Sequence, residues 1–237
     1  MRPTARAEAL REPPREALAV LARAVAPASP FDPAEARQTW RIAATDYGES
    51  SILLPAMAGL RAQAPGTRLA VVEMVPARIA RQAEQGEIDL AFHTVEGSPP
   101  NLRRRTLFAE RYVLAGRVGH PSLQRRPTLK QFCALEHVIV SPDGGGFHGI
   151  TDEILGERGL ERRVVLSVPH FLFLRSVLES SDLVAMLPER LVRGCAGLQE
   201  VESPVALPGY EMAMLWHERS HRDPAHQWLR ERIVQAV

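Results

Sequence analysis

His217-Glu218-Arg219-Ser220-His221 has the H-E-x-x-H spacing with which zinc proteases hold their metal. On a helix, two histidines four residues apart share a face and can ligate zinc, while the glutamate activates the metal's water. The surroundings here argue against that chemistry. Tyr210 to Trp216 is an apolar, strand-like run, and the next helix start is Asp223-Pro224, with Asp as N-cap and Pro in the first turn. The motif is therefore expected in a strand end and a turn, without a third ligand or a bound metal. Cys133 and Cys195 are the two cysteines and form neither a metal spacing nor a disulfide framework. The sequence also has no G-x-S-x-G elbow, phosphate loop or dinucleotide fingerprint. No catalytic residue and no cofactor are expected, so the chain reads as a non-enzyme.

The remaining residues with chemical potential fall in four loops, each after a strand-like run. The first holds Thr45, Asp46, Tyr47, Gly48, Glu49 and Ser50. Free amides at the following helix start could hold a carboxylate, or Asp46, Glu49 and Ser50 could simply cap that helix. Two carboxylates there would repel an anion unless cations lie opposite. The second loop holds His93 and Thr94, whose hydroxyl could orient a polar ligand group. The third runs from Ser141 through three glycines to Phe147 and His148, where successive amides could form an anion nest or an ordinary turn. The fourth is Pro169-His170-Phe171. Phe171, Phe147 and Tyr47 could wall an apolar site, or belong to the core. His148 and His170 could supply donors or a pH-sensitive charge.

Alternating elements position these loops. Strand-like runs at Trp40–Thr45, Leu69–Val75 and Asp89–Thr94 enclose helical patterns at Ser50–Gln63 and Pro76–Gln85, the second closed by Gly86. Thr106–Arg117 and Tyr210–His217 read as two further apolar strands. Between them the alternation repeats, with strands at Glu136–Val140, Val164–Val168 and Leu183–Leu187 and helices at Ile150–Arg158 and Phe171–Glu179. This order predicts α/β lobes with mostly parallel sheets, the second inserted into the first and joined by two crossing strands. In such sheets ligands sit beyond the carboxyl ends of the strands, where all four loops lie. Residues 6–25 form a separate helical stretch, with Leu10, Leu18, Leu21 and Val25 on one stripe that needs an outside partner. A proline-rich linker follows at Pro27–Pro33.

Several motifs together resemble the effector-binding domain of LysR-type transcriptional regulators. Trp40-Arg41-Ile42-Ala43-Ala44-Thr45-Asp46-Tyr47-Gly48, Leu53-Leu54-Pro55 and Leu60 to Gly66 are similar to its opening. Gly86-Glu87-Ile88-Asp89-Leu90-Ala91 is similar to its G-x-x-D-L-A strand, and Arg117-Val118-Gly119-His120-Pro121 to its hinge. Asp182 to Pro188 resembles a later G-x-G-V-x-x-L-P stretch, with Asp182 where glycine is common. Thr45-Asp46-Tyr47-Gly48 points toward the branch of nodulation and aromatic-degradation regulators.

The resemblance covers about residues 38 to 237. It implies two Rossmann-like lobes of the type II periplasmic-binding-protein kind, preceded by a short linker helix. The expected division is 1–37 as linker helix and hinge, 38–117 plus 210–237 as lobe I, and 118–209 as lobe II. It further implies a small effector, aromatic or carboxylate-bearing, held by Thr45, Asp46, Tyr47, Ser50, His93, Thr94, Ser141, Phe147, His148, His170 and Phe171. Homodimers or tetramers are implied too, with DNA reached only through a winged helix-turn-helix that this sequence does not contain.

Composition agrees with such a sensor. The chain has 237 residues and a formal net charge of +1, giving little long-range pull on DNA or an anionic membrane. No apolar run reaches spanning length and no signal-peptide core is visible, so the cytoplasm is expected. The competing reading of the same fold is a solute-binding protein of a transport system, which would need export.

Overall fold

A computed structural model describes residue 6 and residues 13–18, 31–141 and 145–237. Contacts divide the chain into a small unit, Met1–Asp32, and a larger one, Pro33–Val237. In the small unit, residues 13–18 are helical and exposed. Leu10, Leu21, Val25 and most of the proline-rich linker lie outside the described residues.

The larger unit holds a five-stranded sheet in one half and, in the other, a three-stranded sheet bridged to a two-stranded one. The first has the order β2-β1-β3-β10-β4. It contains β1 (Thr39–Ala44), β2 (Arg68–Glu73), β3 (Leu90–Thr94), β4 (Arg103–Glu110) and β10 (Tyr210–Trp216). β1 pairs in parallel with both β2 and β3, whereas β10 runs antiparallel to β3 and β4. The carboxyl half of β1, Ile42 to Ala44, is apolar on both faces because both are covered there. Ile42 and Ala44 enter one core cluster and Ala43 another, which gives the continuous apolar run expected of a buried parallel strand. The edge strands carry Arg68 and Glu73 on β2 and Arg103 to Arg105 on β4, charges that discourage edge pairing.

Helix α1 (Asp46–Gly48) follows β1 directly and passes through a π-helical turn, Glu49–Leu53, into α2 (Leu54–Gln63). The sequence pattern predicts one plain helix from Ser50. The actual helix starts earlier, because Thr45 caps it by accepting from the Gly48 amide at 3.4 Å. Helix α3 (Pro76–Gln85) ends at Gly86, whose φ of 77° is the left-handed conformation that glycine adopts without strain.

The second sheet centres on β5 (Tyr112–Arg117), flanked antiparallel by β8 (Ala185–Pro188) and β9 (Leu198–Val201). A bridge between His137 and Val184 extends it to the parallel pair β6 (Glu136–Val140) and β7 (Arg163–Val168). Helices α4 (Leu129–Ala134), α5 (Ile150–Gly156), α6 (Phe171–Glu179) and α7 (Glu189–Val192) cover it, and α8 (Pro224–Ala236) packs on the first sheet. Helix α4 has a capping box in which the Thr128 side chain accepts from the Gln131 amide and Gln131 returns to the Thr128 amide.

Two features differ from the sequence reading. Thr106–Arg117 is not one strand. It breaks at Arg111, whose amide donates to the buried Glu110 carboxylate at 2.9 Å and whose carbonyl accepts from Glu189 N–H, so this peptide leaves the ladder. In consequence residues 112–117 pair within the second sheet, although the sequence reading groups them with lobe I. In addition Leu191 of α7, from the inserted half, packs in the core cluster of the first sheet beside Trp40 and Leu229.

Candidate functional site

Phe171 stands where the two sheets meet. Its ring packs against the core of each and lies 5.9 Å from the Tyr47 ring. A cavity opens on either side of it. The outer one, about 460 Å³, is lined by Thr45, Asp46, Glu49, Glu73, Met74, His170 and Phe171 among others. The inner one, about 130 Å³, is walled mainly by Tyr112, Val138, Val140, Phe171, Met186 and Leu207, with Thr151 and Arg162 as polar members. The outer one lies at the carboxyl ends of the parallel strands β1 and β2, where Ala44 and Glu73 line it, while the inner one runs along β6 and beside the start of β5.

The two cavities differ in charge. The outer one has three carboxylates, Asp46, Glu49 and Glu73, against one imidazole, His170. In the inner one Arg162 forms a two-pronged pair with Asp152, at 2.7 Å and 2.8 Å, and its side chain is only 3% exposed. Burial alone would raise Asp152, but the Arg162 guanidinium and the Gly149 amide hold it below the usual carboxylate range. Nearby, burial pushes His137 down to about 4, opposed only in part by its bond to the Phe132 carbonyl.

A polar cluster lies below Phe171. Tyr47 donates to Glu110 at 2.5 Å, and Arg190 approaches the same carboxylate oxygen at 3.9 Å while its guanidinium covers the Phe108 ring. Tyr112 and Tyr210, at the two crossing points, have rings 5.5 Å apart. Thus all three tyrosines of the chain gather around one buried carboxylate. Burial comes first, then the Tyr210 and Glu110 charges, in raising the Tyr47 hydroxyl above its ordinary range. Sequence reasoning missed Glu110, Tyr112, Tyr210, Arg190, Arg162 and Thr151. The one readable signal was the adjacent charges Glu110 and Arg111 inside a largely apolar strand pattern.

The residues singled out from the sequence divide into groups. Thr45, Asp46, His170 and Phe171 share the outer cavity. Tyr47 is buried beneath it. Ser50 faces a neighbouring apolar groove with Leu54, Val71 and Leu172. Phe147 and His148 line a separate cavity of about 390 Å³ on the far side of Arg162. Ser141 turns inward, accepting from the Gly146 amide at 3.2 Å. His93 and Thr94 are engaged in their own turn, where Thr94 accepts from the Gly97 amide, and they line none of these cavities.

The H-E-x-x-H segment lies at the exit of β10 and in a 3₁₀ turn, Glu218–Ser220. Its two histidines do not share a helix face. His217 caps the turn, Glu218 pairs with Arg103, and His221 stacks on Trp216. Among the described residues no group of three or more His, Cys, Asp or Glu is placed to hold a metal, and no helix is long and apolar enough to cross a membrane.

Comparison with known proteins gives one family. Residues 33–237 match the family described as LysR substrate binding domain. The transcriptional activator NagR of a Ralstonia species is 35% identical over 99% of this chain and 79% of its own length. NahR of Pseudomonas putida is 33% identical over 98% and 78%. The crystal structure of a probable transcriptional regulator from Pseudomonas aeruginosa has a TM-score of 0.76 at 32% identity, covering 98% of this chain and 78% of that one. The effector binding domain of BenM, solved with its effector benzoate, has a TM-score of 0.64 at 18% identity, covering 85% and 92%.

Proposed function

Since the chain belongs to the LysR-type transcriptional regulators and carries their effector-binding domain, we propose that its effector is a small aromatic carboxylate seated against Phe171. The family consists of regulators, not enzymes, and a transport solute-binding role is not favoured. The observation that carries the proposal is that Phe171 walls both cavities and touches both cores, so a ligand packed on its ring bears on both lobes at once.

Charge sets the orientation. Asp46, Glu49 and Glu73 repel a carboxylate from the outer cavity. The inner one offers Arg162, whose Nε and Nη2 hold Asp152 and whose Nη1 has no side-chain partner among the described residues, together with the buried Thr151 hydroxyl. The anionic end belongs there and the ring against Phe171. BenM, which shares the fold, binds benzoate in its own effector domain.

Benzoate as a probe in a thermal-shift titration tests this. Binding only the folded state raises stability by about 2.7 kcal/mol at a hundred times Kd. The expected result is a concentration-dependent rise in melting temperature that Phe171→Ala abolishes. No rise with benzoate or its ring-hydroxylated forms contradicts the proposal.

The effector domain is also proposed to pair with a second copy. Leu54, Val71, Leu172 and Phe173 are exposed large apolar residues, and three of them border one groove. DNA is contacted, in this reading, through the family's N-terminal module, and the protein acts in the cytoplasm. Light scattering is expected to show a dimer or larger species, and a strict monomer refutes the pairing.

A further inference from the structure

We propose that Asp46 is a latch that holds the two lobes together without any ligand, a regulation of the site that rests on the cleft reading above. Its Oδ2 accepts the Leu172 amide at 2.7 Å, a bond between residues 126 positions apart, while Oδ1 accepts the Tyr47 amide at 3.0 Å. Leu172 lies in the first turn of α6, where amides have no partner within the helix. The residue that ought to cap that turn, His170, makes no side-chain cap. The cap comes instead from the other lobe.

The mechanical consequence follows from what each end is fixed to. Asp46 begins α1, which runs through the π turn into α2, and Tyr47, Ile52, Leu53 and Leu60 anchor that stretch in the first core. Helix α6 is anchored in the second core by Leu174 and Leu178. The next pair along, Tyr47 and Phe171, repeats the contact with rings 5.9 Å apart. Two successive residues of α1 therefore meet two successive residues of α6 at the wall of the outer cavity, and opening the lobes breaks the Asp46 bond first, since it is the exposed one. The other charged or titratable groups lining that cavity are Glu49, Glu73 and His170, and among the described residues none of them bonds to the α6 amides. The latch thus sets how often the cavity stands open to a ligand, and a ligand must bind strongly enough to the released form to compete with it.

The test uses the full chain without ligand. Spin labels on the exposed faces of α2 and of the C-terminal end of α6, with both native cysteines replaced, report the separation of the lobes. Hydrogen exchange reports the Leu172 amide. Asp46→Ala is expected to shift most of the distance distribution to longer values and to speed Leu172 exchange at least tenfold, leaving Ile42 and Val138 unchanged. Adding His170→Asp to that variant supplies a local cap, so Leu172 protection is expected to return while the longer distance stays. If Asp46→Ala does not fold, Asp46→Asn keeps an acceptor without charge and is expected to give a partial opening. An unchanged distance in either Asp46 variant overturns the latch, as does a local cap that closes the lobes again. Because no ligand enters the measurement, failure to bind benzoate leaves this result untouched.

Discussion

Tyr47 and Glu110 offer the sharpest test of how the first lobe holds the floor beneath Phe171. The hydroxyl donates to the carboxylate at 2.5 Å, and the residues are 3% and 5% exposed. A hydrogen bond to a charged group contributes about 1.5–3 kcal/mol, and burial leaves no water to replace it. Tyr47→Phe keeps the ring against Phe171 and removes only the donor. Glu110 then retains the Arg111 amide at 2.9 Å on one oxygen and Arg190, at 3.9 Å, on the other. With that partial compensation, Tyr47→Phe is expected to cost about 2 kcal/mol, which for a chain of this size lowers the melting temperature by about 4–8 °C. Urea unfolding of Tyr47→Phe, Glu110→Gln and the double variant completes the cycle, with a coupling of about 1–2 kcal/mol expected. A coupling under about 0.5 kcal/mol, the usual scatter for independent sites, refutes the reasoning.

Three further outcomes follow from buried titrating groups. The folded pKa of His137, about 4, lies below its unfolded value of 6.5, so the associated stability is present above pH 6.5 and lost as pH falls toward 4. The loss is about 3 kcal/mol, and His137→Gln is expected to flatten the wild-type slope across that window; an identical slope in both proteins counts against it. Burial, foremost, raises Tyr47, Tyr112 and Tyr210 alike. Their stability contribution is full below the unfolded value near 10 and lost above it, so absorbance at alkaline pH should show tyrosinate only as the protein unfolds, and a separate step near pH 10 in folded protein would falsify this. Arg162→Met leaves the part-buried Asp152 carboxylate with the Gly149 amide at 2.9 Å as its remaining partner, at an expected cost of about 1.5–3 kcal/mol by urea unfolding; a change below about 0.5 kcal/mol contradicts the pairing account.

Much of the fold was legible because its signals are local. Gly86, Asp223-Pro224 and the parallel apolar strands each announce themselves through backbone preference, capping or period. Two local signals were passed over: the Thr128-to-Gln131 capping box and the adjacent charges Glu110 and Arg111 inside a largely apolar run. The π turn at Glu49–Leu53 has no comparable sequence mark. The site was less legible for a geometric reason. Strand ends fix where a loop's backbone lies, not where its side chains point. Thr45, Asp46, His170 and Phe171 face the outer cavity, but Thr94 and Ser141 close their own turns, and Phe147 and His148 face away beyond Arg162. Arg162, Tyr112 and Thr151 come to the inner cavity from three separated segments, a convergence that no spacing in one sequence reveals.

The most direct test of the central claim is to locate a bound aromatic carboxylate by amide chemical-shift changes during a benzoate titration of the assigned protein. The expected pattern is saturable change at Tyr112, Thr151, Arg162 and Phe171, with Phe147, His93 and Thr94 little affected. Changes confined to the Phe147–His148 cavity, or to the surface around Arg125 and Gln131, would contradict an effector seat between the lobes.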